Sequence, residues 1–387
     1  MPLARWLGVG SAATSDPGSG ERATDEALVH DDPKLLVVFC SQSCDLRAML
    51  RSVHDRSGDA PVIGCTTAGE ITPTGPRDGS IVVIALGGEG FAIDAAVATD
   101  ASSRLRAAGA EAARCLPRSD DHPHHALLLL TDGLAGDQQQ ILRGAYGVLG
   151  SGVPLVGGCA GDDLRMTRTH QLYGDQALDN AVVAAGIASA GPLGIGVRHG
   201  WRRMGEPMLV TASGGNRVYT LDDRPALDVY LARLGIPTPA THSRDAIARL
   251  ALTHPLGLGR PNGEEQVRFI GGPDFGDHSL SCIAEVPQGA LVWMMTGDAG
   301  SVLSAADAAC GDALDALGGR PPLGLVAFDC IARREVLGDH GVKDEIRRLA
   351  ARAAGVPIAG FYTYGEIART RGIGGFHNQT MVVLAVG

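Results

Sequence analysis

Apolar positions along the chain fall into two patterns that alternate. Continuous apolar runs bounded by turn residues predict buried strands at 34–40, 126–130 and 323–328. Behind each run, apolar residues return at helical spacing: Leu46, Met49, Leu50 and Val53; then Ile141, Leu142, Ala145 and Leu149; then Ile346, Leu349, Ala350 and Ala353. Gly58, Gly152 and Gly355 come after these segments, where a residue free to take positive φ ends a helix. Each stretch closes with Pro, two apolar residues, Gly and an acidic loop, over 61–70, 154–163 and 357–366. Strand, helix and strand at this spacing predict a βαβ crossover with parallel strands, used three times.

A further apolar strand comes after each unit, at 80–86, 180–185 and 380–385. Between the second and third units the pattern predicts a helix over 222–233 and strands at 268–270, 280–284 and 290–295. A second helix starts at Ser301, and 237–265 reads as an irregular insertion. The expected fold is α/β: repeated βαβ units forming mixed, largely parallel sheets with flanking helices. A boundary near 220 divides it into two domains, 1–220 and 221–387.

Parallel strands of a βαβ unit deliver their C-terminal ends to one sheet edge, where open α/β sheets bind ligands. That edge receives Ser41, Gln42 and Ser43, then Cys65, Thr66 and Thr67, from the first unit; Thr131, Asp132, Gly158 and Cys159 from the second; Asp329, Cys330, Phe361, Tyr362 and Thr363 from the third. The closing loops add Glu70, Asp162, Asp163 and Glu366. The candidate ligand-binding set is Cys65, Thr66, Thr67, Glu70, Cys159, Asp162, Tyr362, Tyr364, Glu366, His377 and Asn378. Tyr362 and Tyr364 offer rigid faces with hydroxyls, Glu366 an acceptor for an ammonium, and Asn378, Gln379 and Thr380 hydrogen bonds for a carboxylate. An amino-acid-like molecule suits that mixture. The competing structural reading is that the loop glycines serve tight turns, the two glutamates cap the next segment of chain, and His377 bonds a neighbouring carbonyl.

Composition narrows the classes. Of 387 residues, 54 are Gly without a three-residue period, which excludes collagen, and 45% are hydrophobic, which excludes wholesale disorder. With 43 acidic against 33 basic residues the net charge is −10, and no Lys/Arg run exceeds two, so a nucleic-acid surface is not expected. No stretch reaches the ~18 apolar residues of a membrane span. The start of the chain does not read as a signal peptide, and the eight scattered cysteines read as reduced, so the expected location is cytoplasmic. The Asp120–His125 cluster reads as a solvated loop, leaving no metal site expected, and Gly8–Ala13 copies a dinucleotide loop without its strand–turn–helix context.

The sequences Val62-Ile-Gly-Cys-Thr-Thr-Ala-Gly-Glu70, Val156-Gly-Gly-Cys-Ala-Gly-Asp162, Gly360-Phe-Tyr-Thr-Tyr-Gly-Glu-Ile367 and His377-Asn-Gln-Thr380 resemble the FIST family in order and content, from about residue 6 to the last. The resemblance implies an N-terminal FIST domain over 1–220 and a C-terminal one over 221–387. It implies a sensory, ligand-binding protein rather than an enzyme, whose relatives are fused or linked to histidine kinases, cyclic-di-nucleotide enzymes or chemotaxis receptors. Too few residues lie outside the two domains for an output module, so the signal is expected to pass to a separate histidine kinase or cyclic-di-nucleotide enzyme. Some relatives look like haem-based nitric-oxide sensors. No cofactor is expected from the residues themselves, and the haem alternative rests on His377 or on His122, His124 and His125. A weaker alternative is an enzyme pairing Cys65 or Cys330 with His377.

Overall fold

The computed structural model describes residues 4–236, 243–259, 265–370 and 374–387. It is a mixed α/β structure with two domain-like parts and, among the described residues, eight α-helices. In the larger part, three six-stranded sheets turn their inner faces onto one shared apolar core. Strand Pro33–Cys40, helix Leu46–Ser57 and strand Val62–Thr66 belong to the first sheet and its cover. Strand His124–Thr131, helix Gln138–Leu149 and strand Leu155–Cys159 belong to the second. Strand Gly324–Cys330, helix Ile331–Arg352 and strand Ile358–Thr363 belong to the third.

The strands run parallel within each of these three pairs. Every other strand pair among the described residues is antiparallel, which corrects the expectation of largely parallel sheets. The reason is the connections: a parallel return needs a long crossover, and only the helix between the two strands of each pair supplies one. Val37 and Phe39 point into the shared core while Leu36, Val38 and Cys40 point out to the helices. Both faces are therefore buried, and the strand reads as an unbroken apolar run. Helices Ser19–Ala27 and Leu46–Ser57 cover the first sheet, Leu105–Ala112 and Gln138–Leu149 the second, Ala299–Asp315 and Ile331–Arg352 the third.

Local chemistry sets the helix ends. Asp45 and Asp137 accept backbone N–H groups of the first turns of their helices. Asp298 and Ser301 form a reciprocal capping box, so that helix begins at Ala299 rather than at Ser301. Gly150, at φ 78°, ends the second unit's helix in place of the expected Gly152.

The hairpins after the three units are exchanged cyclically. Glu70–Thr72 and Gly75–Arg77 leave the first unit and extend the third sheet, with Glu70 opposite Phe361. Gln171–Tyr173 and Gln176–Leu178 leave the second unit and extend the first sheet, with Gln171 opposite Cys65. Glu366–Arg369 and Phe376–His377 leave the third and extend the second sheet, with Glu366 opposite Gly158. Each sheet is thus completed by its neighbour.

The smaller part is an eight-stranded antiparallel sheet drawn from Arg202–Gly214 to Leu291–Thr296, with its own core around Met208, Leu227, Tyr230, Ile247 and Met294. Residue 220 lies inside its strand Arg217–Leu221, whereas the earlier strand Leu193–Arg198 pairs with Met381–Val386 in the third sheet. The irregular insertion expected over 237–265 is corrected in part. Ser243 caps helix Arg244–Thr253, which buries Ile247 and Ala251, and strand Leu256–Gly259 pairs with Leu291–Thr296. Residues 237–242 and 260–264 lie outside the described residues. Among the described residues no helix is long and apolar enough to cross a membrane.

Candidate ligand cleft

Each exchanged hairpin starts beside the C-terminal end of its own unit, so the acidic loops sit where two sheets meet. Glu70 is fully buried: Thr67 Oγ1 lies 2.5 Å from its Oε1, while Ser80 donates to Oε2 from both N and Oγ. Glu366 repeats this with Thr363 Oγ1 at 2.6 Å and the Thr380 N–H at 3.1 Å. Burial raises both carboxyls, Glu70 to about 7 and Glu366 to about 8, because their hydrogen bonds only partly replace water. Asp162 differs. Burial opposes its charge, but the Tyr364 hydroxyl and the N–H groups of Arg168, Thr167 and Met166 outweigh it and hold the carboxyl below its usual range. That carboxylate staples a loop in which Asp163, Leu164 and Met166 all take positive φ.

A cleft of about 510 Å³ opens between that loop, the turn around Ser41 and Ser43, and the first turns of helix Ile331–Arg352. The one arginine of its described lining, Arg334, makes two hydrogen bonds to Asp78, at 2.6 and 2.8 Å, and lies over the Tyr362 ring at 4.8 Å. Opposite charge comes from Asp163, Glu335 and Asp339. Asp163 accepts from Ser41 Oγ at 3.3 Å, and burial with the nearby Asp78 and Asp162 charges raises its carboxyl. The helix is broken at Gly338 (φ 60°, ψ 179°), a backbone shape that other residues avoid, and the break forms part of the cleft wall.

Residues 34–224 match the family model of the FIST N domain, and residues 226–369 that of the FIST C domain. The chain belongs to the FIST family. FIST domains are associated with sensory and signal-transduction proteins. The chain is also 26% identical over 270 residues to two uncharacterized proteins of Mycobacterium tuberculosis, Rv0628c of strain ATCC 25618 / H37Rv and MT0656 of strain CDC 1551 / Oshkosh. The match covers 68% of this chain and 68% of each relative.

The sequence-derived site residues of this FIST protein separate into several places. Thr67 and Glu70 meet at one crossing, Thr363 and Glu366 at another, and Asp162 meets Tyr364. Cys65 packs in the shared core, Thr66 Oγ1 accepts the His170 N–H, and Cys159 Sγ lies 3.2 Å from Thr131 Oγ1. Tyr362 is buried behind Arg334. The described lining of the 510 Å³ cleft includes none of the eleven, only their neighbours Ala68 and Asp163. His377 instead borders a second cleft of about 440 Å³ with His199, Arg198 and Glu265, and its Nε2 is 2.9 Å from the Ala368 carbonyl oxygen. Asn378 is buried beside it. Sequence reasoning missed Arg334 and Asp78. Asp78 lies just beyond an exchanged hairpin, and Arg334 on a helix that starts directly at the strand end.

The larger cleft has no histidine in its described lining, whereas the one beside His377 also holds His199, with Val197 and Ala305 among the charged and hydroxyl side chains of its wall. His122 bonds Ser119 and the Glu89 carbonyl on the surface. Among the described residues no group of three or more His, Cys, Asp or Glu converges as for a metal ion. Burial pushes the Cys65 and Cys330 thiols well up, away from the thiolate form that a nucleophile needs.

Proposed function

We propose that the chain is a sensory protein that binds an amino-acid-like small molecule in the 510 Å³ cleft and signals to a separate partner, a histidine kinase or a cyclic-di-nucleotide enzyme. The observation that carries this is the pairing of opposite charges in one concave site: Arg334 on one wall, and Asp163 with Glu335 and Asp339 around it. Arg334 presents a planar fork suited to a carboxylate, now occupied by Asp78, while the acids suit an ammonium. A ligand that takes Asp78's place on Arg334 draws the loop and the broken helix together, and the partner reads that difference. The response comes from the ligand's differential affinity for the two arrangements. The reading is of binding without turnover, since the thiols that could act as nucleophiles are buried.

Titration calorimetry against the common amino acids tests this. Heat of binding for one or more, lost in Arg334→Ala, is the expected result. Absence of heat for every compound overturns the amino-acid reading.

A further inference from the structure

Three residues occupy one place in the three exchanged hairpins: Glu70, Gln171 and Glu366. Each opens its hairpin, and each accepts an N–H at the start of the apolar strand that comes after its own unit, from that strand's first residue or the residue just before it. Ser80 N donates to Glu70 at 2.9 Å, Ala181 N to Gln171 at 3.0 Å, and Thr380 N to Glu366 at 3.1 Å. On the other side each meets a threonine hydroxyl. The distances are 2.5 Å for Glu70 and Thr67, 3.1 Å for Gln171 and Thr169, and 2.6 Å for Glu366 and Thr363.

Gln171 shows the direction of that second bond. Its Oε1 is taken by the Ala181 N–H, so its Nε2 must be the donor to Thr169 Oγ1, and Thr169 passes a hydrogen bond on to Asp132 at 2.7 Å. An ionised carboxylate cannot donate; a protonated one can. A proton on Oε1 of Glu70 reproduces the glutamine pattern, with Thr67 free to donate to the Cys40 carbonyl at 3.4 Å.

Among the described residues, the surroundings give no charge to balance an ionised form. Glu70 faces Cys40, Cys44, Cys65 and the acid Asp163. Arg77, opposite it across the hairpin, is exposed, and Arg334 is committed to Asp78. Glu366 faces Asp329, Cys330 and Cys159, and its cross-strand neighbour His377 engages the Ala368 carbonyl. Arg333, which pairs with Asp329, is shared with Glu345.

We propose that Glu70 and Glu366 are proton-binding sites that fasten the exchanged hairpins in their uncharged form, making the three-sheet body a proton-responsive switch. Ionising Glu70 loosens the hairpin whose end carries Asp78 to Arg334. The inference goes beyond the ligand reading and does not depend on it. Its sign is set by the raised carboxyls. The unfolded chain gives up these protons near pH 4.3 and the native one near 7 and 8. The two sites therefore contribute fully below about pH 4.3, and their contribution falls as pH rises through that window and then levels off.

The test is urea unfolding from about pH 5 to 9 of the wild type, Glu70→Gln/Glu366→Gln and Gln171→Glu, with no ligand present. Between about pH 5 and 7 each site raises the wild-type unfolding constant about tenfold per pH unit relative to the double variant, about a hundredfold for both. Gln171→Glu is expected to steepen the profile by a further factor of about ten per unit. Parallel profiles for wild type and double variant overturn the proposal, and so does a double variant that cannot fold at pH 5. In wild-type protein the infrared C=O band of protonated carboxyls at pH 6 must be reduced by each single Gln substitution. A band unchanged by both overturns the proposal independently of stability. A failed amino-acid titration leaves these outcomes untouched.

Discussion

Arg333 Nε donates to Asp329 Oδ1 at 2.6 Å, and both side chains are entirely withdrawn from water. The same guanidinium also reaches Glu345, beyond the break at Gly338, so one cation joins the strand end, the helix start and the helix beyond the kink. Burying such groups is expensive, and removing the cation strands two carboxyls in the core. Arg333→Leu is expected to lose about 3–5 kcal/mol of stability, because the remaining charges lack a partner. Urea unfolding measures it, and a loss below about 1 kcal/mol would contradict the reading.

Gly64, Gly157 and Gly360 lie at corresponding positions of the three second strands. A Cβ there would sit 2.0, 1.9 and 1.8 Å from the carbonyl oxygens of Val38, Leu129 and Ala327. No side chain can give way, since the obstacle is backbone. Alanine at any one forces the parallel pair apart, with an expected cost of about 1–3 kcal/mol or more. The midpoint of thermal unfolding checks it, with Gly152→Ala, which meets nothing, as the neutral comparison.

Asp162 holds three backbone N–H groups of a loop with three non-glycine residues at positive φ. Asp162→Ala is expected to release that strain locally, with little change in the sheets and faster amide exchange at Met166, Thr167 and Arg168. Because the native carboxyl is held below its usual range, its contribution is present above the unfolded value of about 3.9 and is lost as pH falls below it. Hydrogen exchange monitored by mass spectrometry at neutral and acid pH reads both effects.

Cys40, Cys65, Cys159 and Cys330 are buried, and burial holds their thiols in the protonated form. Cys44 and Cys115 are half-buried, with thiols raised to about 11 by desolvation. A thiol reagent at neutral pH should therefore label the native protein slowly, whereas all eight cysteines react after denaturation. Rapid labelling of Cys65 or Cys330 in native protein would favour the enzyme reading instead.

Local pattern located the strands and helix of each of the three units and the apolar strand after each. The apolar run at 34–40 and the helical spacing of Leu46, Met49, Leu50 and Val53 correspond to Pro33–Cys40 and Leu46–Ser57. The buried strands expected from runs without alternation lie between the shared core and the outer helices, covered on both faces. Helix Arg244–Thr253 was legible in principle: Ser243, Ile247, Leu250 and Ala251 carry a cap and a face. The Pro-containing, polar stretch around it masked the signal.

What the chain order could not reveal is which sheet each hairpin joins. Glu70 pairs opposite Phe361, almost three hundred positions away, and no periodicity records a partner at that distance. The same exchange hid Gln171 as the counterpart of Glu70 and Glu366, because the loop stapled by Asp162 displaces it from the repeated motif. It also brought Arg334 to Asp78. Sequence by itself determined the strands and helices of the three units and their acidic loops, since these arise from local burial and turn chemistry. Tertiary structure alone decided that the acids Glu70 and Glu366 turn inward as hydrogen-bonded fasteners, while the cleft forms from their neighbours, because long-range strand pairing sets which side of each loop meets solvent.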